Sequence, residues 1–319
     1  MKSVDIALEA QRTGRLSAVK EWLYRHNTGG RLSTLLLFIP PALMVFTLLV
    51  ILPIAESGVY SFYRWNGFTA LSDSGRWVGW RNFQFILQDP VFHQAVWNTA
   101  KIVLISLLIQ LPLAMMLALS IASKGSLNTL FRLVYFLPFI LADVVAGLIW
   151  RFIYDGNFGL VAAFTQLFGM ESFYPLADRD WAFNAILVVV VWKYFGYHMM
   201  IYIAGLQSVP NDLVEAARLD GASRLQIIFR IKLPLIMPAI RLSIFFSVIG
   251  ALQFFEMAMP LVTSGGPSGS AHTIVTYLYE FGIVRSRIGF GSAVAVLLFV
   301  MCAIFAFIYQ RFVMARNTA

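Results

Sequence analysis

An all-α membrane protein, a bundle of six transmembrane helices, is the fold class this sequence predicts, and three observations carry the prediction. Of 319 residues 59% are hydrophobic and only 13% charged, with a mean hydropathy of +0.75; that charged share is about half of what a soluble domain carries. Six apolar stretches reach the roughly 20 residues that a helix needs to cross a hydrocarbon core about 30 Å thick, where each backbone polar group must be paired within its own segment. The basic residues, finally, fall unevenly between alternate loops.

Taken in order, residues 1 to 32 read as a cytoplasmic N-terminal arm and residues 33 to 319 as one membrane domain. The arm carries Asp5, Glu9 and Glu21, and the first apolar run is long enough to span, so it is expected to be a retained helix and not a cleaved signal. Spans are expected near 33 to 55, 99 to 122, 133 to 153, 184 to 207, 236 to 262 and 291 to 311, with Asp143 inside the third. Before the second, Asp89 is suited to cap a helix that Pro90 starts. The outer loops around 56 to 98 and 154 to 183 have the content of ordered structure. With the N-terminus inside, 15 of the 24 Lys and Arg lie on the cytoplasmic side and 7 on the other. By the positive-inside bias both termini are then cytoplasmic.

Composition also excludes classes of function. The net charge of +8 is spread over short loops and not gathered on one soluble face, which argues for topology and lipid-bilayer contact and against nucleic acid. Cys302 is the single cysteine, so no internal disulfide is possible, and His26, His93, His198 and His272 lack metal-ligand spacing; no metal or cofactor is expected. The chain holds no GxxxxGK[ST] phosphate loop and no catalytic cluster, so it is not an enzyme by itself and ATP would have to be hydrolysed elsewhere.

One stretch, about residues 208 to 235, interrupts the apolar chain with charge. In SVPNDLVEAARLDG, Pro210 suits an early helical position, a short helix runs through Leu219, and Gly221 suits a left-handed cap. A second short helix follows, with Leu225, Ile228 and Phe229 on one face between Arg224 and Arg230. An amphipathic hairpin of this kind usually rests on lipid headgroups. Here Glu215, Ala216, Ala217, Gly221, Ile231, Leu233 and Pro234 stand in one register. Through that register the chain resembles the permease subunits of binding-protein-dependent bacterial ABC importers, which carry this EAA loop. Within them it is similar to the carbohydrate-uptake branch of maltose and glycerol-3-phosphate permeases. WVGWRNFQFILQDPVFHQAVWNT, FLPFILADVVAGLIWRFIYD, IKLPLIMPAI and LVTSGGPSGSAHT occur in the order and spacing of that branch, over residues 33 to the end.

The resemblance implies a type I importer permease in the bacterial inner membrane. It implies four kinds of partner: a second homologous permease, an ATP-binding cassette ATPase dimer, an extracytoplasmic solute-binding protein, and a sugar as the solute. Glu215, Ala216, Ala217, Asp220, Gly221, Ile231, Leu233 and Pro234 would then couple to the ATPase. Small Ala216 and Ala217 let the helix seat deeply, and Gly221 permits the turn.

Polar groups within spans are costly and mark cavities or partners. Asp143, Lys193, His198, Gln253 and Glu256 are such groups. At about 100° per residue Lys193, Tyr194, Tyr197 and His198 share one arc of the fourth span, with Trp192 opposite. The family resemblance nevertheless places Trp192 beside Tyr197 on the sugar path, which a break near Gly196 would allow. On the fifth span Phe246, Ile249, Gly250, Gln253 and Glu256 share a face. Trp192, Tyr194, Tyr197, Phe246, Ile249, Gly250, Gln253 and Glu256 are therefore the candidate solute-binding residues. Another class stays open at this point: an ion-coupled transporter with Asp143, Glu256 and His198 as a proton relay.

Overall fold

A computed structural model describes residues 28 to 314 apart from Lys124, so residues 1 to 27, most of the expected arm, lie outside the described residues. It divides into two compact units, Met1–Glu56 and Ser57–Ala319, each considered by itself. The first is dominated by helix α1 (Leu35–Tyr60).

In the second unit a two-residue ribbon pairs β1 (Tyr63–Arg64) antiparallel with β2 (Arg76–Trp77). Helix α2 (Arg81–Gln88) leads into α3 (Pro90–Ile121). Then come α4 (Ser126–Ile140), α5 (Asp143–Ile153), α6 (Leu160–Leu167) and the long α7 (Ala182–Gln207). After α8 (Asn211–Leu219), α9 (Arg224–Leu235) and α10 (Met237–Leu252), the chain closes with α11 (Ile274–Val284) and α12 (Ile288–Met314). The helix cap expected at Asp89 is present: its Oδ1 accepts from the Val91 N–H at 2.9 Å, with Pro90 in the first turn.

Among the described residues four helices, α1, α3, α7 and α12, are long and apolar enough to span, or six if each of two bent pairs is one span. The third expected span is not a continuous helix, because α4 and α5 meet at 95°. Pro138 in the last turn of α4 removes a backbone donor and crowds the preceding carbonyl, while Leu141 and Ala142 are extended. The fifth departs further: α9 and α10 are bent by 68°, and α10 stops at Leu252 where the sequence suggested helix to 262.

Prolines mark a second regularity. Wide π-type turns at Thr47–Ile51, Ser106–Gln110 and Ile228–Lys232 each end two residues before a proline: Pro53, Pro112 and Pro234. A proline ring would strike the carbonyl four residues back in a regular helix, and the wider turn moves that carbonyl aside.

Three apolar cores hold the second unit. Phe83, Phe92 and Ala95 pack with Phe290, Ala293 and Val294, so α3 and α12 begin side by side. Ala114, Ala118 and Ile121 pack with Met199, Tyr202 and Leu206, so α3 and α7 also finish together. A third cluster joins Ile102 and Ile186 to Phe254, Met257 and Leu261 in the irregular segment after α10. Polar staples fasten that segment to α3. Asn98 Nδ2 donates to the Ser270 and His272 carbonyls at 2.7 and 2.9 Å, while within the segment the Thr273 hydroxyl donates to the Phe254 carbonyl at 2.9 Å. In the GGP turn Gly265 and Gly266 have φ of +74° and +73°, and a Cβ on Gly265 would fall on the His272 ring.

Candidate functional site

Two sites emerge, one midway along the spans and one where α7 ends. The first is a cavity of about 300 Å³ between α3, the end of α4, α7 and α10. Tyr194, Tyr197, Phe246 and Gly250 line it as the wheel suggested, and His198 joins them. Tyr197 stacks on Phe139 with ring centroids 4.6 Å apart. Sequence reasoning missed Ser106, Gln110, Phe139 and Ser247, which also line it. Gln110, a buried amide in an apolar run, was the available signal. Two lining atoms, His198 Nδ1 and Ser247 Oγ, are buried without a hydrogen-bond partner. Buried polar atoms are nearly always paired, so orphans on a cavity wall are positions a polar solute would satisfy.

The other candidates lie elsewhere. Trp192 packs edge-on against Trp150, centroids 5.4 Å apart, and α7 has no break at Gly196 that would turn it inward. Gly196 is where α7 touches α4, since a Cβ there would collide with the Tyr135 carbonyl oxygen. Ile249 is half-buried outside the cavity wall. Gln253 and Glu256 are exposed, but not on one helical face: α10 ends at Leu252, and Glu256 sits in the turn beyond.

Lys193 is also off the cavity wall. Its ammonium, 1% exposed, donates to the carbonyls of Pro138 at 2.9 Å, Phe139 at 3.2 Å and Leu141, and pairs with Asp143 at 3.1 Å. The final carbonyls of α4 have no helical donors, and the negative end of its dipole favours a cation. Asp143, in the first turn of α5, faces the opposite, positive end and also accepts from the Tyr194 hydroxyl at 2.9 Å. One lysine thus ties both ends of the broken span. Among the described residues no hydrogen bond or ion pair joins Asp143 to His198 or Glu256, so the relay considered above has no direct links.

The second site is the hairpin of α8 and α9. Gly221, φ +79°, ends α8 in a Schellman arrangement: Ala222 N–H donates to the Ala217 carbonyl at 2.9 Å and Gly221 N–H to that of Arg218 at 3.0 Å. Ser223 opens α9 with a reciprocal capping box to Gln226. Glu215, Ala216, Asp220 and Pro234 are exposed, while Ala217, Ile231 and Leu233 are half-buried. Of the apolar face foreseen on α9, Leu225 and Phe229 are exposed; buried Ile227 anchors the helix instead, as Val209 and Ile236 anchor the hairpin's two ends. At its tip stands Leu219, 90% exposed, with Leu213 also bare. Leu219 was missed, although a large apolar residue in a polar turn is itself a signal.

The family model described as binding-protein-dependent transport system inner membrane component matches residues 110–317. The sulfoquinovosyl glycerol transport system permease protein SmoG of Agrobacterium fabrum is 30% identical over 93% of this chain and 95% of its own. The diacetylchitobiose uptake system permease protein NgcF of Streptomyces coelicolor is 30% identical over 88% of this chain and 82% of its own. A chain in the crystal structure of a bacterial alginate ABC transporter in complex with a pentasaccharide-bound periplasmic protein superposes with TM-score 0.78 at 23% identity, covering 91% of this chain and 97% of that one. That last likeness shows a shared fold.

Proposed function

Because the chain belongs to the binding-protein-dependent transport system inner membrane component family, we propose that it is the membrane-spanning permease subunit of an ATP-driven importer for a sugar or sugar-derived solute. The observation that carries this reading is the α8–α9 hairpin: a rigid, doubly capped knob presenting Leu213, Leu219, Leu225 and Phe229 bare at one end of the bundle. Bare apolar surface of this kind marks an interaction site, and on this reading a soluble partner covers it. That partner is an ATPase subunit, and Glu215, Ala216, Ala217, Asp220, Gly221, Ile231, Leu233 and Pro234 form the coupling surface.

The family description supports a multi-pass protein of the inner membrane. On this reading the chain has six spans, the third being the bent pair α4–α5 and the fifth α10 without α9, with both termini cytoplasmic, and the α8–α9 hairpin lies in the cytoplasm beside the ATPase. An extracytoplasmic binding protein delivers the solute to the opposite side. SmoG and NgcF are named for glycoside and disaccharide uptake, which favours a carbohydrate.

In the cavity, Tyr194, Tyr197 and Phe139 offer ring faces to the CH groups of a sugar. Ser106, Gln110, His198 and Ser247 offer partners for its hydroxyls. Such a mix of apolar walls and a few convergent polar groups is typical of ligand sites. Phe246, Gly250, Gln253 and Glu256 are exposed, and we assign them to a larger path completed by a second, homologous permease.

The test is uptake of labelled oligosaccharide by cells whose membrane potential is collapsed while ATP is kept. Uptake should persist; its loss would reject ATP-driven transport.

A further inference from the structure

A separate cleft of about 860 Å³ lies at the end of the bundle where α3 and α12 begin, opposite the α8–α9 hairpin. Arg64, Arg76, Arg81 and Arg287 line it, and no Asp or Glu does. Arg64 and Arg76 are direct cross-strand partners in the β1–β2 ribbon. Like charges in that position repel and destabilise the pair. Among the described residues none of the four guanidiniums makes an ion pair or a side-chain hydrogen bond; Arg81 and Arg287 only lie over Phe85 and Phe290, at 5.3 and 4.5 Å from the ring centroids. Four guanidiniums lining one cleft with no carboxylate among them make a concentrated cationic field that attracts an anion.

We propose that this cleft binds the phosphate of an anionic phospholipid headgroup; the inference needs only that the chain is embedded in a membrane, and not that it carries sugar. Depth argues for a lipid. Arg64 follows the end of α1 at Tyr60 by four residues, and Arg287 directly precedes the span that starts at Ile288. Both therefore stand near headgroup level. The rim is aromatic: Trp77 and Phe85 in the cleft, and Trp80 and Phe68 nearby in sequence, are 61, 49, 65 and 78% exposed. Exposed Trp and Phe beside a span end suit the interface, whereas an acidic protein surface calls for a polar rim. Planar guanidiniums grip phosphate oxygens in pairs, and the cleft is wide enough for a headgroup with its glycerol.

The experiment is native mass spectrometry of the whole transporter purified with its partner subunits, offered phosphatidylglycerol or phosphatidylcholine, with inorganic phosphate as competitor. The wild type should retain phosphatidylglycerol in preference to phosphatidylcholine. R76Q/R287Q should lower that preference by on the order of tenfold or more, and R76K/R287K should keep most of it because the charge remains. Millimolar inorganic phosphate should displace little of the lipid. Three results would overturn the proposal: equal retention of both lipids by the wild type; unchanged phosphatidylglycerol retention in R76Q/R287Q; or loss of binding-protein association in that variant with lipid retention intact, which would assign the cleft to a protein.

Discussion

At the scale of single residues, Lys193 shows how composition can mislead. A lysine within a span reads as part of a solute path, yet this one serves the backbone, neutralising the carbonyl end of α4 and holding Asp143 at the start of α5. No local pattern marks those carbonyl partners, because they are freed only by a break 52 to 55 residues away in sequence. Lys193→Met should therefore destabilise the protein by about 3 kcal/mol, the lower end for a broken buried pair since Asp143 is 29% exposed. Lys193→Met with Asp143→Leu should recover only part of that, because the carbonyls stay unpaired. Thermal unfolding in detergent checks both. His272 gives a second residue-level prediction. Burial first, then nearby Arg285, push its imidazole down to about 4 from an ordinary 6.5, and Asp89 opposes this weakly. The folded state thus holds it neutral where the unfolded chain binds a proton. Its contribution to stability is complete above about pH 6.5 and is lost as pH falls toward 4. His272→Gln should flatten that part of the pH–Tm profile relative to the wild type; an unchanged slope would remove His272 as its source.

At the scale of elements, the contrast lies between what a motif announces and where a helix stops. The α8–α9 hairpin was legible in its turn but not in its faces: a charged, capped segment in an apolar chain stands out and Gly221 has the positive φ expected of it, whereas buried Ile227 and bare Leu219 were not foreseen. The cavity-lining face of α10 was half legible. Phe246 and Gly250 fall on the cavity as the 100° step requires, but extending that step to Gln253 and Glu256 presumed a helix that ends at Leu252. The capped hairpin also carries the coupling prediction. Gly221→Val forces a branched side chain into left-handed backbone, at a cost of about 1–3 kcal/mol, although nothing lies within 4 Å of the added Cβ. The defect should therefore be confined to the turn. Such a variant should insert at normal levels and retain the central cavity, but lose most solute uptake and solute-stimulated ATP hydrolysis; Ala217→Glu should do the same by blocking the seat of α8. Normal uptake at normal protein levels would refute the coupling role.

At the scale of the whole molecule, the cavity is unfinished. Its floor and one wall come from α3, α7 and α10, while Leu242, Phe246, Gly250, Gln253 and Glu256 remain exposed along and just beyond α10. Gly250 has nothing within 4 Å of an added Cβ, so that side is open. A transport path with one wall missing would leak lipid, and a polar pair such as Gln253 and Glu256 facing hydrocarbon would be costly. The second permease proposed above would close the path and remove both problems. It would also supply the second hairpin that a two-fold ATPase pair requires, since the described residues hold one. The sequence alone suggested such a partner only through resemblance, because no periodicity distinguishes a face awaiting protein from one awaiting lipid. Expressed with the ATPase alone, the chain should insert yet support neither uptake nor solute-stimulated ATP hydrolysis, and co-expression with the second permease should restore both. Gly250→Trp, whose Cβ would meet nothing within 4 Å, should reduce assembly with that second permease while leaving insertion of this subunit unchanged. Co-purification of the two permeases through tags on each measures that directly. Full activity of a homodimer of this chain would show that the missing wall is a second copy and not a different subunit.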